Sequence, residues 1–261
     1  MGKTYISPSG LAKEVQKIYY GNANNVAQEI NKVYVGDQNG IARLVFGNSA
    51  ILPKEYQQVE WIYAASYGPY INTNLIPNTS AKIEVKMQFT EKPSGTSYCG
   101  AYNIISKNYY PSEIRIGYSS SNLTIYTTYY VNTNNIHYSY RTLSFNTEIH
   151  TYIIDYKNRF VALDNNTASF SYSGTNGIPN IPFFLFAQSF KSANDCHSRS
   201  DKLRLYYFKL YNNDQITRTF YPCYRKSDNV VGLYEIFTNT FFPPVSGTGS
   251  FTAGPDYVGE L

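Results

Sequence analysis

The sequence predicts an all-β protein: a large antiparallel sandwich of jelly-roll type, preceded by a small region of repeated β-hairpins. Three observations carry this. Tyrosine supplies 28 of 261 residues while charged residues make up only 15%, a mixture that suits pleated, half-buried surfaces better than long helices. From residue 52 onward, short stretches alternate apolar and polar side chains with period two, the pattern of strands with one wet face. Ahead of them lies a tandem repeat, and a short repeated module cannot bury its own apolar face without stacking on something else.

The repeat comes first in the chain. Lys17-Ile18-Tyr19-Tyr20-Gly21 with Asn25-Val26-Ala27-Gln28-Glu29-Ile30 returns fifteen residues later as Lys32-Val33-Tyr34-Val35-Gly36 with Gly40-Ile41-Ala42-Arg43-Leu44-Val45. A partial copy, Gly10-Leu11-Ala12-Lys13-Glu14-Val15, precedes both. Turn signals at Ser9-Gly10, Asn24-Asn25 and Asn39-Gly40 favour hairpins, since Asn-Gly accepts the positive φ of a type I′ turn. Short helical turns over 10–16 and 26–32 are the alternative, because Leu-Ala-Lys-Glu-Val-Gln-Lys is also a good helix string. Either way, residues 1–50 are expected to anchor or oligomerise the chain, and residues 51–261 to form one domain.

Gly47-Asn48-Ser49-Ala50 makes a polar break. Beyond it, Ala81-Lys82-Ile83-Glu84-Val85-Lys86-Met87-Gln88-Phe89 alternates strictly, and similar runs fall at 113–118, 122–130, 149–156, 159–163, 181–188 and 202–211. So many strands over one region, separated mostly by Gly, Pro, Asn or Ser, point to a jelly-roll sandwich.

Several function classes fall away. The net charge is +4, but the basic residues are scattered rather than gathered in a stripe, which argues against nucleic-acid binding. No apolar h-region follows Met1, and the longest apolar stretch, residues 181–187, is too short to span a bilayer; a soluble product of the cytoplasm without membrane insertion is expected. Cys99, Cys196 and Cys223 are odd in number and widely spaced, which suits buried free thiols better than disulfides or zinc.

The order of motifs carries a resemblance. Leu52-Pro53-Lys54-Glu55-Tyr56-Gln57-Gln58-Val59-Glu60-Trp61-Ile62, followed by Tyr70-Ile71-Asn72-Thr73, resembles the opening of the concanavalin A-like, laminin-G-type jelly roll that ends many bacteriophage and prophage structural proteins. His150-Thr151-Tyr152-Ile153-Ile154-Asp155 and Phe160-Val161-Ala162-Leu163-Asp164 resemble its central paired strands, with Asn165 where a turn glycine is usual. Pro182-Phe183-Phe184-Leu185-Phe186-Ala187 is similar to a further strand. Residues 202–211, Arg218-Thr219-Phe220-Tyr221-Pro222-Cys223, Val231-Gly232-Leu233-Tyr234-Glu235 and 247–255 follow the family's tail in order. The N-terminal repeats resemble those that precede such domains in phage proteins.

What the resemblance implies is a virion protein, made in the host cytoplasm, that serves as a tail, baseplate or fibre component. Its repeats would join other virion proteins or form a homo-oligomer, a trimer by analogy with common fibres, and its lectin-like domain would bind host-surface carbohydrate. A purely structural decoration, head-fibre or assembly protein is the alternative, and a polysaccharide depolymerase a third reading. No catalytic residues are assigned. Glu84, Glu113, Glu235, Asp155 and Asp164 lack an acidic neighbour at the same-face spacing that retaining glycoside hydrolysis uses. His137, His150 and His197 stand apart, with His150 expected to be structural. Calcium is the one cofactor the family admits, with Asp195 and Asp201 as its candidate ligands and no motif that matches residue by residue.

Sugar recognition needs flat aromatic faces beside amides and hydroxyls. The segment 93–148, where the resemblance is weakest, supplies Tyr109, Tyr110, Tyr129, Tyr130, His137, Tyr138, Tyr140 and Arg141, interleaved with asparagines. Tyrosine offers large contact area at low entropic cost, so these residues, expected in loops, form the candidate binding surface. Trp61 is expected to pack within the fold.

Overall fold

The computed structural model describes residues 18–21, 27–30, 32–36, 42–47, 52–65, 67–93, 95–104, 111–119, 121–132, 135–170, 180–190 and 192–257. The chain divides into two units, Lys54–Tyr257 and a smaller one that holds residues 1–53.

In the smaller unit, β1 (Ile18–Gly21) pairs antiparallel with β2 (Ala27–Ile30), and β3 (Lys32–Gly36) with β4 (Ala42–Gly47). The fifteen-residue period reappears in the pairing. Gly21↔Ala27 ends the first ladder and Gly36↔Ala42 the second. Strand at Ala27–Ile30 overturns the helical alternative over 26–32. The stretch 10–16 and the turns at Ser9-Gly10, Asn24-Asn25 and Asn39-Gly40 lie outside the described residues.

The larger unit opens with β5 (Tyr56–Gln58), β6 (Ile62–Ala64), β7 (Ile71–Asn72) and β8 (Ala81–Phe89). Next come β9 (Ser97–Ile104), β10 (Pro111–Ser119), β11 (Asn122–Asn132), β12 (Asn135–Ser144), β13 (His150–Asp155), β14 (Phe160–Leu163) and β15 (Asn166–Ser169). It closes with β16 (Phe184–Leu185), β17 (Ala187–Phe190), β18 (Ser192–Arg199), β19 (Leu203–Asn212), β20 (Gln215–Arg225), β21 (Val231–Glu235), β22 (Thr240–Phe242) and β23 (Thr252–Ala253). There is no helix among the described residues, and so none long and apolar enough to cross a membrane.

These strands make two sheets in a sandwich-like arrangement. The smaller runs β12-β11-β10-β9-β16-β7, with β17 and β18 attached through β9. The larger runs β15-β14-β13-β8-β19-β20-β21-β22, with β5, β6 and β23 at its side. Pairing is antiparallel except between β17 and β9. Strand β8 shows why the chain folds so. Ala81, Ile83, Val85, Met87 and Phe89 are buried, and the polar residues between them face outward. They meet Ile114, Ile116, Leu123, Ile125 and Phe184 of the smaller sheet in one core, where each buried branched or aromatic side chain contributes about 1.5–3 kcal/mol.

Two local details differ from expectation. The run 181–188 is interrupted at Phe186, a fully buried residue with φ of 62°, an uncommon conformation for a bulky side chain. Its N–H points to Cys99 Sγ at 3.2 Å, its carbonyl accepts from Ser200 N at 2.7 Å, and its ring lies 4.5 Å from that of Phe251. Tertiary partners hold this break between β16 and β17. In the turn after β14, the positive φ falls on Asp164, at 53°, rather than on Asn165. Asp164 is held by its own carboxylate, whose Oδ1 accepts from Thr151 N at 2.9 Å. By contrast, Asn213 and Asp214, with φ of 50° and 65°, make the two-residue turn between Asn212 and Gln215 that type I′ geometry requires.

Candidate ligand-binding surface

The predicted tyrosine cluster lies on strands rather than in loops wherever it is described. Tyr129 and Tyr130 belong to β11, and His137, Tyr138, Tyr140 and Arg141 to β12. Tyr129 stands opposite His137, Thr128 opposite Tyr138 and Tyr126 opposite Tyr140. Their register comes from the β11–β12 ribbon at the edge of the smaller sheet. Tyr109 and Tyr110 lie outside the described residues.

One rung of this sheet forms a surface. Gly100, Arg115, Tyr126 and Tyr140 stand side by side across β9, β10, β11 and β12. Their neighbours Ile114, Ile116 and Ile125 are fully buried, so by alternation the rung faces away from the core. The Arg115 guanidinium lies 5.1 Å from the Tyr126 ring and 5.3 Å from that of Tyr98. Gly100 leaves that end of the rung without a side chain. Tyr140 is 58% exposed, and the next rung carries Thr124 and Thr142. Thr124 is buried and Thr142 exposed, so the strip offers solvent a tyrosine, a cation held between rings, and one threonine hydroxyl.

Arg141 does not join this strip. It alternates to the opposite face, where Nε donates to the Thr167 carbonyl of β15 at 2.7 Å and Nη2 donates to the same oxygen. Tyr140 and Arg141, both in the candidate surface, thus stand on opposite faces of β12: one is exposed and the other ties the two sheets together. Beside that tie is an open cleft of about 480 Å³ lined by Leu143, Leu163, Asp164, Asn165 and Asn166.

His150 sits close by and is buried. Its Nδ1 is 2.7 Å from Asp164 Oδ2 and its Nε2 is 2.8 Å from Asn146 Oδ1. Asn146 Oδ1 also accepts from Glu148 N at 2.9 Å, which orients the amide. Both ring nitrogens are thereby engaged. The residue fastens the loop before β13 to the turn after β14.

The outer face of the larger sheet holds a second polar-aromatic cluster that the sequence reading passed over. Glu84 of β8 accepts from Tyr207 Oη at 2.8 Å, from Tyr211 Oη at 2.9 Å and from Lys209 Nζ at 3.4 Å. Burial raises the Glu84 carboxyl, but these donors together bring it below its ordinary value. Burial, reinforced by the same carboxylate, pushes both tyrosine hydroxyls well above the usual phenol range. Lys82 lies 3.8 Å from the Tyr211 ring, and Lys209 and Lys86 lie 4.2 and 6.0 Å from that of Tyr207. The Lys-x-Glu-x-Lys and Tyr-x-Lys-x-Tyr spacings were present in the period-two pattern. What local sequence does not hold is the pairing that joins them, Glu84 and Tyr207 being 123 residues apart.

The remaining predicted groups are placed as follows. Glu235 is buried, its Oε1 accepting from Thr219 N and Phe237 N and its Oε2 from Thr238 N and Oγ1. Asp155, also buried, accepts from Asn158 N at 2.8 Å and Nδ2 at 3.0 Å. Asp201 accepts from Ser97 Oγ at 3.0 Å in a buried setting, and Asp195 lies on β18. Among the described residues, no three His, Cys, Asp or Glu converge in a metal-holding group. Burial pushes the free thiols of Cys99 and Cys223 up to about 12, far from the thiolate that reactivity requires. Trp61 lies flat over Gly254, where a Cβ would come within 2.6 Å of the indole, and Arg204 stacks on it at 4.2 Å. No protein-family model, no curated protein and no solved structure matches this chain.

Proposed function

We propose that this chain is a phage or prophage virion protein of the tail, baseplate or fibre, whose larger unit is a concanavalin A-like jelly roll that binds host-surface carbohydrate without catalysis. The observation that carries the binding reading is the outward rung Arg115–Tyr126–Tyr140 at the free edge of the smaller sheet. An exposed tyrosine beside a ring-held guanidinium and the Thr142 hydroxyl offers a sugar both an apolar face and hydrogen-bond partners. The order of sequence motifs supports the virion assignment, and two hairpins sharing one fifteen-residue period suit an anchoring or oligomerising segment. Several copies in one particle would turn weak single sites into firm adhesion.

The test is binding of the full chain to intact host cells and to a panel of purified wall and capsule glycans, with Tyr126→Ala/Tyr140→Ala alongside. At least a tenfold loss in the variant is expected, since each aromatic contact is worth about 0.5–1.5 kcal/mol beyond its area. A chain that binds no glycan yet assembles with other virion proteins would replace this reading with the structural one.

A further inference from the structure

The outer face of the larger sheet is shaped as a cation lattice. Lys82 and Lys86 are four residues apart on β8, and Lys209 of β19 stands opposite Glu84, midway between them. Strand geometry sets the Cα atoms of Lys82 and Lys86 roughly 13 Å apart and that of Lys209 roughly 8 Å from each. A surface lysine ordinarily wanders in water. Here the ammonium groups of Lys82 and Lys209 rest on the rings of Tyr211 and Tyr207, with Lys86 at 6.0 Å from the Tyr207 ring, and those rings are pinned by their hydroxyls to Glu84. Holding a charge in place before a ligand arrives reduces the ordering cost of binding.

The charge on this face is unbalanced. Lys82 and Lys86 form no ion pair among the described residues. Glu84, the one carboxylate within the lattice, is only 14% exposed and pairs with Lys209. Asp155, opposite Lys82, turns its carboxylate onto Asn158, and Asp214 pairs with Lys157, although it lies near enough to Lys82 to feel its charge as well; Lys86 has no such carboxylate neighbour among the ion pairs of the described residues. Arg204 adds a further positive charge along β19, stacked on Trp61. The geometry points to this face as a binding site for an anionic polysaccharide, one whose repeated charged groups the lysines meet while the tyrosine rings border the sugar. It involves other residues than the Tyr126–Tyr140 strip and stands or falls separately from it.

The experiment titrates the full chain with dextran sulfate and carboxymethyl-dextran, using unmodified dextran as the uncharged control on the same backbone. Both charged polymers are expected to bind and plain dextran not, and the stronger of the two identifies the preferred anion. Lys82→Gln/Lys86→Gln should weaken binding at least tenfold and lower the slope of log affinity against log salt by about two. Lys54→Gln/Lys226→Gln, which removes the same charge from exposed positions elsewhere, should leave binding unchanged, as should Tyr140→Ala. The proposal is overturned if the Lys82/Lys86 variant binds like the parent, if either control variant weakens binding as much, or if duplex DNA binds as tightly with the same dependence on these lysines.

Discussion

The two outer faces of the sandwich use the same residue types to different ends. On the larger sheet, Tyr207 and Tyr211 give their hydroxyls to Glu84 and their rings to lysines, so the tyrosines work as a frame for half-buried ammonium groups. On the smaller sheet the arginine is the part held in place, between Tyr98 and Tyr126, and Tyr140 is left exposed. A tyrosine count does not separate these cases. Register does, because it decides whether a ring finds a carboxylate, a cation or open water across the strand.

The largest effect that would test this contrast is removal of the framing hydroxyls. Tyr207→Phe/Tyr211→Phe leaves the mostly buried Glu84 with Lys209 alone and should cost about 2 kcal/mol in urea unfolding, the range for hydrogen bonds to a charged group. Tyr140→Phe on the smaller sheet, where the ring is 58% exposed, should change stability by less than about 0.5 kcal/mol. Equal losses would erase the distinction between frame and surface.

A smaller effect separates neighbours on one strand. Arg141→Ala removes the tie to the Thr167 carbonyl and should cost about 1 kcal/mol, reduced by partial exposure. If thermal unfolding shows no loss, Arg141 belongs to the solvent and the assignment of faces on β12 needs revision.

A third effect appears only in acid. Tyr207, Tyr211 and Lys209 outweigh burial and lower the Glu84 carboxyl in the folded chain. Such a group adds stability that is complete above its unfolded value, about 4.3, and fades as pH falls through the lower folded value. Urea midpoints measured downward from about pH 6 should therefore fall less steeply in Glu84→Gln than in the parent chain. An identical acid limb would mean that the hydroxyls do not favour the carboxylate.

How far the sequence speaks depends on whether the cause of a feature is local. Strand β8 could be read residue by residue, since alternation in Ala81–Phe89 is itself the signal that buries one face. The fifteen-residue repeat likewise foreshadowed two antiparallel pairs that share their register over the three pairs nearest the turn, the second then shifting at a bulge between Val33 and Tyr34. The break at Phe186 could not be read, because Cys99 and Ser200 hold it from other strands and the apolar run continues unbroken through it. Strand β12 carries no period-two run of aliphatic residues in Asn135-Ile136-His137-Tyr138-Ser139-Tyr140-Arg141, and only its ladder with β11 makes it a strand. The same blindness put Tyr140 and Arg141 into one site and left Glu84, Tyr207 and the three lysines out of any.

The smallest effect on stability is also the sharpest test of function. Tyr140→Ala removes a side chain that is 58% exposed at a sheet edge, so unfolding should shift by no more than about 0.5 kcal/mol. Glycan binding through the Arg115–Tyr126–Tyr140 rung should nonetheless fall by about threefold to tenfold, because the lost ring contact is worth roughly 0.5–1.5 kcal/mol. Tyr140→Phe keeps the ring and should retain most of the affinity, which isotherms on the same glycan would show. A loss as large with phenylalanine as with alanine would mean that the hydroxyl carries recognition. A variant that unfolds early would mean that the ring packs as its counterparts on the larger sheet do, and the contrast between the faces would then rest on the lysines alone.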